Sequence, residues 1–186
     1  MNKKVFKTMV ALVVIFLVAC YILKIFFPEQ FVLGIENDVF VQIGEYINTH
    51  AWADYLFGIF TSFLTYWLYL CAVCRRWYLK WWECLIILGV VGANIGLSLV
   101  DINVYTAFSI STFVVLPLLF KSDLKAVGIC YPIHLISQGL SLTIRNLPVY
   151  MTHVNAFSIY LASIDNFLWL ALLYFAFNYK DKKKEV

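Results

Sequence analysis

Six apolar runs, each long enough to cross a lipid bilayer as a helix, follow one another along this sequence. The hydrocarbon core of a bilayer is about 30 Å thick and requires roughly 20 helical residues. Backbone polar groups inside it must bond to one another, so only helices or closed barrels cross it. We therefore predict an all-α, polytopic membrane helix bundle with about six transmembrane helices, forming a single integral-membrane domain over residues 1–186. The predicted spans are approximately 8–27, 55–73, 81–100, 102–120, 126–147 and 157–177.

The composition supports membrane lipid as the main surrounding of the chain. Hydrophobic residues make up 63% of it and charged residues 13%, whereas soluble domains are about half apolar and a quarter charged. The net charge is only +3, and the cations flank the apolar runs instead of forming a stripe. This pattern indicates a topology signal and argues against nucleic acid as a partner.

The positions of the cations predict the orientation. Lysine and arginine concentrate at the two termini and in every second connection, and the alternate connections are acidic or neutral. Because cytoplasmic loops of membrane proteins are enriched in these residues, we expect a multi-pass protein of the cell inner membrane with cytoplasmic N- and C-termini. Arg145, beside the last alternate connection, is the one exception. The cytoplasmic cations are Lys3, Lys4, Lys7, Arg75, Arg76, Lys80, Lys121, Lys125, Lys180, Lys182, Lys183 and Lys184.

The connection between the first and second spans, residues 28–54, has its own helical pattern. It is acidic, lacks lysine and arginine, and its apolar residues recur at near-helical spacing. We predict a short interfacial helix on the outer side, either packed on the bundle as a lid or available for partner binding or gating. The residues of the apolar pattern are Ile35, Val39, Ile43, Tyr46 and Ile47.

The third span contains Gly89, Gly92 and Gly96, and it is separated from the fourth span by only a few residues around Asp101. Small residues let helix backbones approach closely. The sequence thus predicts a very tight turn near Asp101, and the glycines permit close helix approach.

The N-terminal segment has two interpretations. Lysines, an apolar run and the residues Leu17–Cys20 resemble a lipoprotein signal in which Cys20 would be lipidated. The residues after Cys20 remain apolar, however, whereas a mature lipoprotein begins with a polar tether. We favour an uncleaved first span, and the lipoprotein interpretation, with five spans, remains the alternative.

No motif indicates a cofactor, a metal site or a catalytic nucleophile. Cys71 and Cys74 form a CxxC pair, but no second pair or nearby histidine completes a metal site, and thiols on the cytoplasmic side stay reduced. We expect these thiols to be chemically idle. Catalytic signatures are also missing, although a membrane acyl- or phosphotransferase using His134, Asp101 and Asp165 is an open alternative.

A polar stripe runs through the fifth span. His134, Gln138, Ser141 and Arg145 are spaced by four, three and four residues, which places them within an arc of about 60° on one helix face. Further polar residues, which should lie at similar depth, occur in the third, fourth and sixth spans. They are Asn94, Ser98 and Asp101, then Tyr105, Ser109 and Thr112, and finally Asp165 and Asn166.

Such residues should face the bundle interior, because charged groups in contact with lipid are costly. The stripe is either structural, with Arg145 paired to Asp101 or Asp165, or the wall of an outward-facing polar cavity. We favour a small transporter or channel component, possessing no catalytic residues of its own, that binds a small polar or anionic solute and acts as a homo-oligomer or with a partner membrane subunit. A non-catalytic sensor, immunity or assembly protein is a further alternative. The predicted ligand-binding residues are His134, Gln138, Ser141, Arg145, Asp165, Asn166, Asn94 and Asp101.

Overall fold

The computed structural model describes residues 3–28, 38–145, 147 and 164–178, and these residues form seven α-helices. The all-helical prediction is therefore confirmed. Ile35, the first part of the predicted sixth span and the C-terminal lysines lie outside the described residues. The helices are α1 (Lys3–Phe26), α2 (Asp38–Thr49), α3 (Ala51–Val73), α4 (Trp81–Ser98), α5 (Ile102–Leu119), α6 (Leu124–Arg145) and α7 (Ile164–Asn178).

Four of these helices, α1, α3, α4 and α5, are long and apolar enough to cross a membrane. Helix α6 has 22 residues, but polar side chains such as His134 and Gln138 make it less hydrophobic. The described part of α7 has 15 residues and is strongly apolar. The helices thus fit a multi-pass membrane protein.

The helices alternate in direction, so that the basic connections meet at one end of the bundle. There the backbone N–H of Asp123, before α6, donates to the carbonyl of Val73 at the end of α3, at 3.0 Å. The Tyr174 hydroxyl of α7 donates to the carbonyl of Trp77, between α3 and α4, at 2.8 Å. The ring of Phe6 in α1 lies 5.0 Å from that of Phe177 in α7. We call this region the basic end.

Helices α3 and α5 both finish at the basic end with the same turn. After each helix a residue adopts positive φ, Arg75 at 51° and Lys121 at 52°. The N–H of the following residue then bonds to a carbonyl five positions back, Arg76 to Cys71 and Ser122 to Pro117, both at 3.0 Å. These are Schellman motifs, which usually carry glycine at the positive-φ position because a Cβ there is unfavourable.

Residues 99–101 alone connect α4 to α5, so the predicted tight turn is confirmed. The Asp101 N–H donates to the carbonyl of Leu97 at 3.0 Å. The Asp101 carboxylate accepts from the N–H groups of Asn103 and Val104 at 2.7 and 3.4 Å. Asp101 is therefore the N-cap of α5, which satisfies donors that the first turn of a helix leaves unpaired.

The close helix approach that the α4 glycines permit does not occur within the described part of the bundle. A Cβ placed on Gly89, Gly92 or Gly96 would meet no described atom within 4 Å. The three glycines lie on the outside of α4, because Ile87, Val91 and other larger residues occupy its buried face.

The core is centred on α3, whose second half is almost fully buried from Tyr66 to Val73. Helix α7 packs along α3 and α1 and buries Trp169, Leu170 and Leu173. Helix α2 packs on the start of α3 and buries Ile47, and it leaves Val39, Ile43 and Tyr46 exposed.

Candidate binding cavity

A cavity of about 540 Å³ lies among α3, α4, α5 and α6. It extends along α5 from Ile102 to Phe113, which is roughly 16 Å of helix at 1.5 Å per residue. It therefore occupies the half of the bundle away from the basic end. The residues that line it are Ser62, Thr65, Tyr66, Asn94, Ile102, Tyr105, Thr106, Ser109, Ile110, Phe113, His134, Leu135, Gln138 and Gly139.

A chain of hydrogen bonds crosses one wall of the cavity. The Asn94 amide donates from Nδ2 to the Tyr66 hydroxyl at 3.1 Å, and Tyr66 Oη lies 2.7 Å from Thr112 Oγ1. The Thr112 hydroxyl donates to the carbonyl of Ser109 at 2.8 Å. The chain ties α4, α3 and α5 together, and interhelical hydrogen bonds of this kind stabilise membrane bundles modestly.

Phe113 is the centre of an aromatic floor. Its ring stacks on Tyr66 at 4.5 Å between centroids and lies 3.9 Å from the imidazole of His134. On its other sides the imidazole approaches Tyr69 and Trp169, at 6.3 and 5.9 Å. His134 is thus held among rings and is only 4% exposed.

Two buried polar atoms at this cavity have no hydrogen-bond partner among the described residues: Asn94 Oδ1 and His134 Nδ1. Most buried polar atoms in folded proteins are paired, and an unpaired one costs about 1–3 kcal/mol. Both residues line the same space. The arrangement has the features of a binding site, in which a few polar groups converge on a mostly preformed pocket.

The structure brings three of the predicted site residues together, His134, Gln138 and Asn94, on the wall of this cavity. Asp101 lies elsewhere, because its carboxylate caps α5 and is exposed. Its N-cap hydrogen bonds account for an aspartate at this position without a ligand.

Ser141 faces α1 instead of the cavity. The Tyr21 hydroxyl of α1 donates to the carbonyl of Ser137 at 2.8 Å and lies 2.9 and 3.4 Å from the hydroxyls of Ser137 and Ser141. An arc of 60° on α6 is wide enough to touch two neighbours, so one stripe serves both an interface and a cavity.

The remaining predicted residues, Arg145, Asp165 and Asn166, belong to α6 and α7 by backbone. Their side chains lie outside the described part of the protein. The predicted pairing of Arg145 with Asp165 or Asp101 thus stays a prediction.

The cavity also includes polar residues that sequence reasoning did not assign to it, Ser62, Thr65 and Tyr66 of α3. Ser62 and Tyr66 are four residues apart, a spacing that places them on one helix face. Sequence reasoning also did not single out Lys24, which is not part of the cavity lining and is only 4% exposed near the end of α1, with its ammonium 5.6 Å from the centre of the Tyr21 ring. A lysine inside the predicted first span, away from the basic connections, was the available signal.

The CxxC pair lies at the basic end, far from the cavity. Cys71 and Cys74 are not joined by a disulfide. Burial raises the pKa of the Cys74 thiol, although a hydrogen bond with Arg76 acts in the opposite direction. Because the thiolate is the nucleophile and the metal ligand, this environment disfavours reactivity. The described residues contain no cluster of histidine, cysteine and carboxylate side chains suited to a metal ion.

Comparisons with known proteins do not identify the chain: no protein-family model matches it, and neither curated proteins nor solved structures gave a match. The function is therefore argued from the cavity alone.

Proposed function

We propose that the chain crosses the cell inner membrane six times, through α1, α3, α4, α5, α6 and α7, with both termini in the cytoplasm. The basic end supports this arrangement, because it gathers the start or end of each of these helices together with their flanking cations. Cationic loops are retained on the cytoplasmic side. The lower hydrophobicity of α6 fits a span that turns polar residues toward an internal cavity.

Helix α2 lies along the outer membrane surface in this arrangement. It carries exposed apolar residues, Val39, Ile43 and Tyr46, beside the exposed carboxylates of Asp38 and Glu45. A helix with one apolar and one charged face suits the boundary between headgroups and acyl chains. Its packing on α3 favours a structural lid over a free docking helix.

The outer half of the bundle binds a small polar solute, and the protein is a transporter or channel component without catalytic chemistry of its own. One observation carries this proposal: two residues that line one cavity of about 540 Å³, Asn94 and His134, each keep a buried polar atom that has no partner among the described residues. Evolution rarely retains such costly groups in a core unless something binds them. Ile102 and Ile110 line the cavity and are also 64% and 41% exposed, so the cavity borders the protein surface and a solute has a way in and out.

Movement of a solute across the membrane requires more than this binding site. Six helices of this size leave little bulk for two alternating conformations, so we expect a homo-oligomer or a partner membrane subunit.

Native mass spectrometry of the purified protein tests the binding proposal. We expect a co-purifying small molecule that is lost in Asn94→Leu and Gln138→Leu and retained in Asn103→Leu. Asn103 is a matched control because it is an exposed asparagine outside the cavity. A bound molecule that survives both cavity substitutions would place the site elsewhere and refute the proposal.

Reporter fusions test the membrane arrangement separately. Fusions after Arg76 and after Lys183 should both report the cytoplasm, and a fusion after Glu45 should report the outside. Fusions at Arg76 and Lys183 on opposite sides would exclude an even number of spans between them and so the six-span arrangement.

A further inference from the structure

The hydrogen-bond chain at the cavity wall has a fixed direction. Thr112 uses its only hydroxyl proton for the carbonyl of Ser109, so it can only accept from Tyr66 at 2.7 Å. Tyr66 then has no proton left for Asn94 and must accept from it. Asn94 therefore presents its NH₂ group to Tyr66.

This direction determines which atom of Asn94 remains available. With the NH₂ group on Tyr66, the carbonyl oxygen Oδ1 is the atom that is buried without a partner. An amide oxygen only accepts hydrogen bonds. A ligand that satisfies this wall must therefore bring an N–H or O–H donor.

The described walls of the cavity offer no formal charge. Among its lining residues there is no lysine, arginine, aspartate or glutamate. Burying an ion without a counter-charge is far more costly than burying a neutral polar group. An acceptor such as Asn94 Oδ1 would also repel an anion.

Apolar side chains make up part of the remaining wall, since Ile102, Tyr105 and Ile110 line the cavity along α5. The rings of Tyr66, Phe113 and His134 pack on one another and are only 3–4% exposed, so they close the floor of the cavity. Burial of an apolar part of a ligand against such side chains is favourable.

We propose that the cavity takes an uncharged ligand with an apolar body and at least one N–H or O–H donor, which bonds to Asn94 Oδ1. The inference rests on the proposed binding function and specifies its ligand. The polar part of the solute is a hydrogen-bond donor on an otherwise apolar body, and the anionic solutes that the sequence alone allows are excluded. The source of such a ligand, the outer aqueous phase or the surrounding lipid, does not change its chemistry.

Three probes of similar shape test the ligand class: 2-naphthol, naphthalene and 2-naphthoate. At neutral pH the first is an uncharged donor, the second has no polar group and the third is an anion. Their binding to the full-length protein is measured by equilibrium dialysis at pH 7, with protein-free micelles of the same detergent as the blank. We expect 2-naphthol to bind about two- to tenfold more tightly than naphthalene, the effect of one neutral hydrogen bond. We expect 2-naphthoate to bind at least about tenfold more weakly than 2-naphthol.

Asn94→Leu should reduce the affinity for 2-naphthol to that for naphthalene, and Asn103→Leu should leave it unchanged. If Asn94→Leu is not monodisperse, Asn94→Ala replaces it in the same comparison. The two sources are compared by presenting 2-naphthol either in water or in pre-loaded liposomes and measuring the amount that binds. Equal binding from both means that the ligand enters from either phase, and unequal binding assigns its entry to one of them. Both results agree with the proposed ligand class.

Three results would each overturn this inference. They are tightest binding of 2-naphthoate, equal binding of 2-naphthol to the wild-type protein and to Asn94→Leu, and binding of none of the probes. None of these results removes a co-purifying molecule seen by native mass spectrometry, so the proposed function can survive them. Conversely, a co-purifying molecule that survives both Asn94→Leu and Gln138→Leu would refute both proposals.

Discussion

The basic end and the cavity differ in how completely their buried polar groups are hydrogen-bonded. At the basic end Glu83 is 3% exposed and accepts from Arg76 Nη2 at 2.8 Å and from the Lys80 N–H at 2.7 Å. In the cavity, Asn94 and His134 are buried to a similar degree, yet each keeps one polar atom without a partner in the described structure.

Under the proposed function, this difference separates polar groups that stabilise the fold from polar groups that bind a ligand. Paired polar groups fix the ends of helices in register, whereas unpaired ones lower stability and are retained where a ligand completes them. The described residues contain one exception to this division, since Ser122 Oγ at the basic end is also buried without a partner among them. The comparison predicts opposite responses to the removal of polar groups in the two regions.

The largest expected effect is at Glu83. Glu83→Ala removes two hydrogen bonds, one of them charge-assisted, and leaves Arg76 beside an apolar core, so we expect a loss of about 2–4 kcal/mol in the free energy of unfolding. Chemical unfolding in detergent measures it. Glu45→Ala, at an exposed carboxylate of α2, is the control and should change stability little. A loss below that of the control would show that the basic end is not held by this pair.

The opposite response is expected in the cavity. His134→Leu removes a buried nitrogen without a partner and keeps the apolar contact with Phe113, so the protein should become more stable by about 1 kcal/mol. Ligand binding should be lost at the same time. Thermal unfolding and native mass spectrometry of one preparation measure both. A destabilised His134→Leu protein would break the comparison, because it would mean that the imidazole is satisfied in the unliganded state.

Asp101 distinguishes a helix cap from a ligand contact. Asp101→Ala should cost about 1 kcal/mol through loss of the α5 N-cap, and Asp101→Asn should retain most of the stability because asparagine caps equally well. Neither substitution should affect binding of the co-purifying molecule. Weaker binding by the folded Asp101→Asn variant would mean that Asp101 contributes to the ligand site.

The smallest effect concerns the two Schellman turns. Lys121→Gly should stabilise the protein by about 0.5–1 kcal/mol, because glycine adopts positive φ without a Cβ penalty. Arg75→Gly removes the same Cβ penalty, but it also removes the ion pair of 2.7 Å between Arg75 and Asp123. Both side chains of this pair are partly exposed, so the pair contributes about 0–1 kcal/mol. Thermal unfolding of the two variants should rank Lys121→Gly above Arg75→Gly. Equal stability of the two variants would mean that the Asp123 pair adds nothing at the basic end, and the reverse order would mean that the pair is unfavourable.

The sequence alone determined the all-helical fold, the short α4–α5 turn and most helix limits. Each of these depends on properties of local segments: hydrophobic length, which the bilayer sets, and the residues that start and stop helices. Helix α2 was predictable for the same reason, since its apolar spacing is contained in twelve residues, Asp38–Thr49.

Only the tertiary structure decided which polar residues meet. His134, Gln138 and Ser141 share one helix face, yet α6 borders both α1 and the cavity, so the stripe is divided between them. Helical periodicity gives the direction of a side chain from its own axis but not the identity of the neighbour in that direction. For the same reason the sequence does not indicate that Tyr66 lines the cavity, or that no described helix packs closely on the glycines of α4. Asn94 Oδ1 lacks a hydrogen-bond partner among the described residues because three helices meet there and fix the direction of one hydrogen-bond chain.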